Sequence, residues 1–436
     1  MSTKIQAKDL VRNSEIVVEV DRLRVAGFKD GFNTIPTTDF AAKVITIIRS
    51  DSYTKNSRQI FYLDDKFETE RAIVVPNEFL FTPADKETTQ KLTEKFREYV
   101  LQNLWQHCRY LGSQIGSDPE IFVEANDKLI PAFDFLGSKE KPLLTGNGNN
   151  IYWDGFQGEF TTNANSCMQV HGDSIRSGLI GLYNAAKKHN KDAKLSIKTV
   201  FDIPLELLKT SKPEYVAFGC RASLNVYGLK GKEAPGEEVT YRSAGGHIHF
   251  GLGNLAGNKP AIEKMVKALD AVLGVACVSL FAKYDDPRRR QMYGLAGEYR
   301  LPPHGMEYRV LSNAWMFHPM IAHMVFDLAR STTTFGYKDF MKYWECDEKE
   351  TIRIINECDV TAARAVLKKN KKILTQIINT RYANFDQSEF VFDIFYHGME
   401  SVIADPSNFV NNWNLHGTNT IFYTYVRDAM KASGKV

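Results

Sequence analysis

The chain has no Cys-x-x-Cys pair, no His-Glu-x-x-His, no Gly-x-x-x-x-Gly-Lys-[Ser/Thr] loop and no glycine fingerprint that opens a helix after a strand. The first two absences exclude the common zinc frameworks. The last two mean that any nucleotide is held by something other than a P-loop or a Rossmann turn. Its six cysteines, Cys108, Cys167, Cys220, Cys277, Cys346 and Cys358, are scattered and read as reduced cytosolic thiols. Long apolar runs are missing as well. The most apolar helical stretch, LDAVLGVACVSLFA from Leu269 to Ala282, is too short to span a bilayer and carries Asp270. The opening MSTKIQAKDL lacks the apolar core of a signal peptide. Nor does one sign of charge dominate. There are 55 basic and 52 acidic residues, a net charge of +3, which gives no field for nucleic acid. The expectation is a cytoplasmic protein with neither a membrane nor a nucleic-acid partner.

What is present is ordinary globular composition, 43% hydrophobic over 436 residues. That length suits two or three domains, or one large catalytic domain with additions. Residues 1–110 mix strand-like pieces (SEIVVEVDRLRVAGF, QIFYLDD, RAIVVP) with an amphipathic helix from Thr88 to Arg109. Residues 111–320 alternate short strands with Gly-rich turns, interrupted by helices from Ser174 to His189 and Ala261 to Lys283. Residues 321–436 read as mainly helical, TAARAVLKKNKKILTQIINT most clearly. The fold class is α+β.

Four segments of the middle region carry ionisable residues at alternate strand positions. In GSDPEIFVE, Asp118 and Glu120 are two apart and face one side of a strand that then runs into Ile121, Phe122 and Val123. Carboxylates that open a buried strand need a partner, and a metal ion is one. In DGFQGEF, Asp154 and Glu159 flank a Gly-bearing turn; a hairpin with exposed acids is the bland alternative. SAGGHIHFG puts His247 and His249 on one face, with Gly245 and Gly246 allowing close approach of a ligand or another backbone. Two satisfied core histidines are the alternative there. AGEYRLPPHGMEYRVLSN contains Glu-Tyr-Arg twice, pairing Glu298 with Arg300 and Glu307 with Arg309 on one face each. Upstream, Arg288, Arg289 and Arg290 form either a solvated basic loop or a phosphate clamp. Acids with a few imidazoles suit Mg²⁺ or Mn²⁺, and arginines beside them suit the phosphates of ATP.

The order DPE, DG..GEF, GGHIHFG, RRR..YG.AGEYR, MEYRVLSN resembles the phage-type carboxylate–amine ligases, amidoligases of the glutamine synthetase superfamily. It covers about 112–319, roughly half of the chain. The resemblance implies an antiparallel sheet curved around an active-site funnel with helices outside. It also implies ATP, two divalent metals and an acyl-phosphate intermediate. By motif position, Glu120, Glu159 and Asp154 would hold one metal, and Asp118, His247 and Glu307 the other. Arg300 and Arg309 would neutralise the γ-phosphate and the acyl phosphate, His249 would either support the metal ligands from behind or face the substrate carboxylate, and Gly246 would leave room for the nucleotide. The acid and the amine are small molecules or peptides. A tailed-phage origin would make the host cytoplasm the working compartment, and ring-forming relatives leave a homo-oligomer open.

Two rivals stand beside the ligase: a guanidino-kinase-like phosphotransferase, and a non-catalytic metal-bound protein of phage origin. They differ in whether the acids are paired with arginines or left for a metal. The polar loop around Gly231 to Glu238 is a candidate lid.

Overall fold

The computed structural model describes residues 4–10, 14–20, 22, 39–49, 57–64, 70–92, 114–145, 148–166, 168–217, 223–231, 239–281, 284–334, 341, 344–374, 388–399, 405 and 407–417. The chain divides into two units, Met1–Gly112 and Ser113–Val436.

Period-two alternation builds the first unit. Its six strands are Ile5–Gln6, Glu15–Val18, Phe40–Arg49, Ser57–Asp64, Glu70–Pro76 and Leu80–Pro83. They form one antiparallel sheet in the spatial order first, sixth, second, third, fourth, fifth. Ile16 and Val18, Ala42 and Val44, Ile60 and Tyr62, and Ile73 and Val75 all enter one core, as alternation requires. Of the helix expected from Thr88, residues up to Leu92 are helical; the rest lies outside the described residues.

The second unit is mixed helix and antiparallel sheet, so the α+β class holds. A five-stranded sheet runs Leu224–Asn225, Glu298–Arg300, Gly305–Tyr308, Ile248–Gly251, Gln114–Ser117, with every neighbour antiparallel. A four-stranded sheet runs Leu143–Leu144, Asn150–Asp154, Gln157–Phe160, Glu120–Ile121. Smaller sheets pair Val123–Ala125 with Lys128–Ile130 and Lys194–Leu195, and Val200–Asp202 with Tyr241–Ser243.

Helices pack around these strands. Lys259–Leu269 continues through a π turn, Asp270–Gly274, into Val275–Leu280. From Ala268 to Phe281 every residue is buried, so this is the core helix that its apolar run anticipates. Residues 282 and 283 lie outside the described part. At the π turn the buried Asp270 accepts a 2.6 Å hydrogen bond from Tyr308 on the strand that carries Glu307, which ties helix to sheet. The helix foreseen from Ser174 to His189 begins earlier, as Met168–His189. Among the described residues of the C-terminal part, most are helical, in Pro319–Thr334, Glu348–Glu357, Val360–Lys369 and Ser388–His397. Among the described residues no helix is long and apolar enough to cross a membrane. The candidate lid lies outside the described residues from 232 to 238.

Arg176 fastens the C-terminal segment to the helix Met168–His189. Its Nε donates to the Trp413 carbonyl at 2.9 Å, and Nη2 donates to the carbonyls of Asn414 and Gly417. Charge-assisted bonds of this kind are each worth about 1.5–3 kcal/mol when buried. Arg176→Ala should cost about 3 kcal/mol in urea unfolding; a loss below about 0.5 kcal/mol would show that the segment docks without it.

Candidate active site

Two sequence features steer the chain from one sheet to another at the same place. Pro119 has no N–H to give a ladder, so Gln114–Ser117 ends in the five-stranded sheet and Glu120–Ile121 starts in the four-stranded one. Opposite it, Ala244 to His247 joins Tyr241–Ser243 to Ile248–Gly251. The two crossovers touch, the Glu120 N–H donating to the Gly245 carbonyl at 3.0 Å. Acids and histidines placed at the crossovers therefore converge.

Gly246 serves this junction differently from the room for nucleotide that the sequence suggests. A Cβ there would lie 2.3 Å from Trp315 Nε1 and 2.4 Å from the Ser312 carbonyl oxygen. The space is taken by the Trp315 indole and the Ser312 backbone. Gly246→Ala should therefore destabilise by about 2–3 kcal/mol, as overpacking does, read from the shift in urea midpoint at unchanged slope. An unshifted midpoint would contradict the close approach.

The first cluster is Glu120, Asp154 and Glu159, each offering a ligand atom within 4.8 Å of the others. Asn150–Asp154 and Gln157–Phe160 form the hairpin that the glycines suggest, with Gly155 at a φ of 59°. Its acids turn inward: Glu159 is buried and Asp154 half-buried. Tyr152 donates to Glu159 Oε1 at 2.5 Å. Glu120 Oε2 accepts from the Gly245 N–H at 2.6 Å, from Gln157 Nε2 at 3.0 Å and from the Tyr293 hydroxyl at 3.3 Å. Burial and then the Asp154 charge push Glu120 up to about 7, even though those hydrogen bonds favour its charged form. Burial, then Asp118, Asp154 and Glu120, hold Glu159 well above the usual carboxylate range. Asp154 is raised too, by burial foremost, against the pull of Lys139. Three carboxyls crowd together with no guanidinium closing an ion pair on them among the described residues. That arrangement fits a divalent cation, which would relieve both the burial and the repulsion.

The second cluster is Asp118, His249 and Glu307, also within 4.8 Å. His249 Nε2 lies 3.0 Å from Asp118 Oδ2, and its Nδ1 lies 3.1 Å from His304 Nε2. His247 Nδ1 approaches the same acids from the buried side, 3.4 Å from Glu307 and 3.7 Å from Asp118. Both histidines thus reach Asp118, as two residues on one strand face should. Burial opposes the Asp118 charge, but His249, then His247 and Arg300, outweigh it and bring its pKa to about 2. Burial disfavours the His249 imidazolium, yet Asp118 overrides it and raises the ring. Burial, joined by Arg309, holds His247 well below its usual value and keeps it neutral.

Here the arginines are engaged. Arg300 Nη2 donates to Glu307 Oε1 at 2.6 Å from the adjacent strand, where the two residues are directly opposed. Arg309 Nε lies 3.1 Å from the same oxygen, and its Nη1 donates to Ser223 Oγ at 2.6 Å. The same-strand pairing foreseen for Glu307 and Arg309 is present. Glu298, by contrast, accepts from the Gly294 N–H at 2.9 Å, while Arg300 turns to Glu307.

The run Arg288–Arg290 is not brought to either acid cluster. Arg288 pairs with Asp286 at 2.8 Å and Asp202 at 2.7 Å. Arg290 pairs with Asp285 at 2.9 Å, and the buried Arg289 donates to the Val310 carbonyl. Each arginine has local acceptors that a phosphate would have to displace.

Several residues at the site escape the sequence reading: Tyr152, Gln157, Tyr293, Ser223, His304 and Lys139. Tyr152 and Gln157 were open to discovery, since each stands two positions from a triad acid on a strand. Tyr293 and Ser223 reach the site from irregular chain, where no period exists to place them.

Residues 233–415 match the sequence profile of the family described as phage phiEco32-like COOH.NH2 ligase-type 2. The match spans fewer than half of the residues. It takes in His247, His249, Arg300, Glu307 and Arg309 together with C-terminal helices that no motif reached, and leaves out the triad acids. No curated protein matches the chain in sequence. Among solved structures, a bifunctional glutathione synthetase from Pasteurella multocida aligns with a TM-score of 0.38 and 11% identity over 77% of this chain and 54% of that one. The chain thus spans about half the length of that neighbour, a likeness too distant to bear on activity. The resemblance to the carboxylate–amine ligases is borne out for the motifs from GGHIHFG onward, which lie within the stretch that matches that ligase profile.

Proposed function

We propose that the protein is an ATP-dependent ligase that joins a carboxylate to an amine through an acyl phosphate, on a glutamine synthetase-like catalytic sheet. The antiparallel strand order around His249 and Glu307 supports that sheet. The observation that carries the reading is the meeting of a cation-seeking acid triad with an arginine-bearing histidine and acid cluster.

A carboxylate is a poor electrophile. Transfer of the γ-phosphoryl group gives an acyl phosphate and ADP; the amine then attacks the acyl carbon, and inorganic phosphate leaves. Glu120, Asp154 and Glu159 would hold one divalent ion, Mg²⁺ or Mn²⁺, and Asp118, His249 and Glu307, with His247 beside them, a second. Such ions supply positive charge to phosphate oxygens. Arg300 and Arg309 would exchange their bonds to Glu307 for phosphate oxygens and take up charge as it develops. Glu159 and His249 are the candidates for the ammonium proton. Arg288–Arg290 would touch nucleotide only after leaving their present acceptors. The acid and the amine would be small molecules or peptides, and the host cytoplasm the setting.

The test is calorimetric titration of a non-hydrolysable ATP analogue, with and without Mg²⁺, into wild type, Glu159→Gln and Arg300→Ala. We expect Mg²⁺-dependent binding that both variants lose. No binding to folded wild type would overturn the ligase reading and its kinase rival together.

A further inference from the structure

We propose that Lys139 is the counter-ion of the Glu120–Asp154–Glu159 triad that a divalent ion displaces, and that the displaced ammonium then takes an anionic oxygen group of the substrate. The proposal rests on the metal reading of the triad.

Lys139 is exposed, on the loop that precedes the hairpin. Its ammonium lies 5.1 Å from the centroid of the Tyr152 ring, whose hydroxyl donates to Glu159. The neighbouring acid of the loop is turned elsewhere: Ser138 Oγ donates to Glu140 Oε2 at 2.6 Å. Among the described residues no carboxylate closes an ion pair with Lys139. It is nonetheless the basic residue whose charge bears most on Asp154, ahead of Arg309 and Arg300. The lysine is thus held by the face of Tyr152 and by the field of Asp154, not by a bond. A flexible ammonium so held is readily expelled by a doubly charged ion in the triad. Arg300 and Arg309 are tied to Glu307, whereas Lys139 would stand at the triad with three free donors. A carboxylate or a phosphate is the chemistry that it fits.

The experiment is Mn²⁺ titration into wild type, Lys139→Gln and Lys139→Glu, without nucleotide, by electron paramagnetic resonance of the free ion. If Lys139 competes with the metal, Lys139→Gln binds Mn²⁺ about 3- to 10-fold more tightly than wild type, Lys139→Glu more tightly still, and the gain shrinks with added salt. Equal or weaker binding by both variants would overturn the proposal while leaving the metal site standing. No Mn²⁺ binding by any of the three would remove the metal site and the proposal with it. A second arm adds inorganic phosphate. Wild type should then bind Mn²⁺ more tightly, and Lys139→Gln should lose that gain. An equal gain in both overturns the assignment of the displaced ammonium to an anionic group. The exposed position makes both variants safe to fold.

Discussion

At pH 8 and without divalent ions, Glu120→Gln should melt about 5 °C above wild type, and Mn²⁺ should raise the melting temperature of wild type but not of the variant. The reason is linkage. The Glu120 carboxyl has its folded pKa raised from 4.5 to about 7. Between those values the native state keeps a proton that the unfolded chain has released, so stability falls as pH rises through that window. Above it the native protein bears the full cost of the buried charge, on the order of 3 kcal/mol. A glutamine in the same place can still accept from the Gly245 N–H, and brings no charge. Glu159, also raised by burial foremost, adds to the same trend.

The pH must be chosen with the histidines in mind. Burial holds His171 to about 3 and His318 to about 4, from 6.5. Such groups bind protons first in the unfolded state, so they favour folding as pH rises toward 6.5 and would mask the carboxyl trend below it. Above pH 7 they are neutral in both states. Asp270, raised to about 7 by burial foremost, has the same sign as Glu120 but lies at the π turn, so Mn²⁺ should leave its share untouched. Calorimetric scans at pH 7 and 8, with and without Mn²⁺, separate the two. A variant no more stable than wild type at pH 8 would mean that Glu120 is neutralised within the chain, and the triad would no longer call for a cation.

Much of this site was legible because its residues obey strand periodicity. His247 and His249 share Asp118 as alternation demands, and Glu307 and Arg309 meet as residues two apart. The same rule fails at DPE. Strand alternation puts Asp118 and Glu120 on one side of one strand; Pro119 breaks the ladder between them, and each joins a different cluster, the division that the family resemblance implies. The Asp118 charge still bears on all three triad acids, so the clusters are neighbours. The hairpin was legible too, but not that its acids turn inward, Glu159 buried and Asp154 half-buried, because burial depends on what the rest of the chain lays over them. The arginine run misled for a similar reason. Its sequence is loop-like and basic, but Asp202, which answers Arg288, lies far away in the chain. Cross-strand partners such as Arg300 and Glu307 depend on register, which is set by the Leu301–His304 turn with its two prolines between their strands and is invisible in composition.

Arg309→Met should weaken binding of a non-hydrolysable ATP analogue about 100-fold and cost about 3 kcal/mol of stability. Arg309 is 0% exposed and bridges two elements, reaching Glu307 through Nε and Ser223 through Nη1. Truncation leaves Glu307, itself buried, with Arg300 as its remaining guanidinium. Stability and binding need separate readouts, because a buried pair that breaks destabilises whatever its function. Arg309→Lys separates them in part, since its compact ammonium keeps the charge but cannot face Glu307 and Ser223 at once. We expect it to recover most of the stability and little of the nucleotide affinity. The double variant Arg309→Met with Glu307→Gln separates them fully. Removing both charges lifts the penalty of the stranded carboxylate, so urea unfolding should return toward wild type. Glu307 is itself a proposed metal ligand, so binding is compared with Glu307→Gln alone. If Arg309 serves nucleotide, the analogue binds the double variant more weakly than that single variant. If the two bind alike, Arg309 acts only as the counter-ion of Glu307, and phosphate recognition at this cluster passes to Arg300 alone.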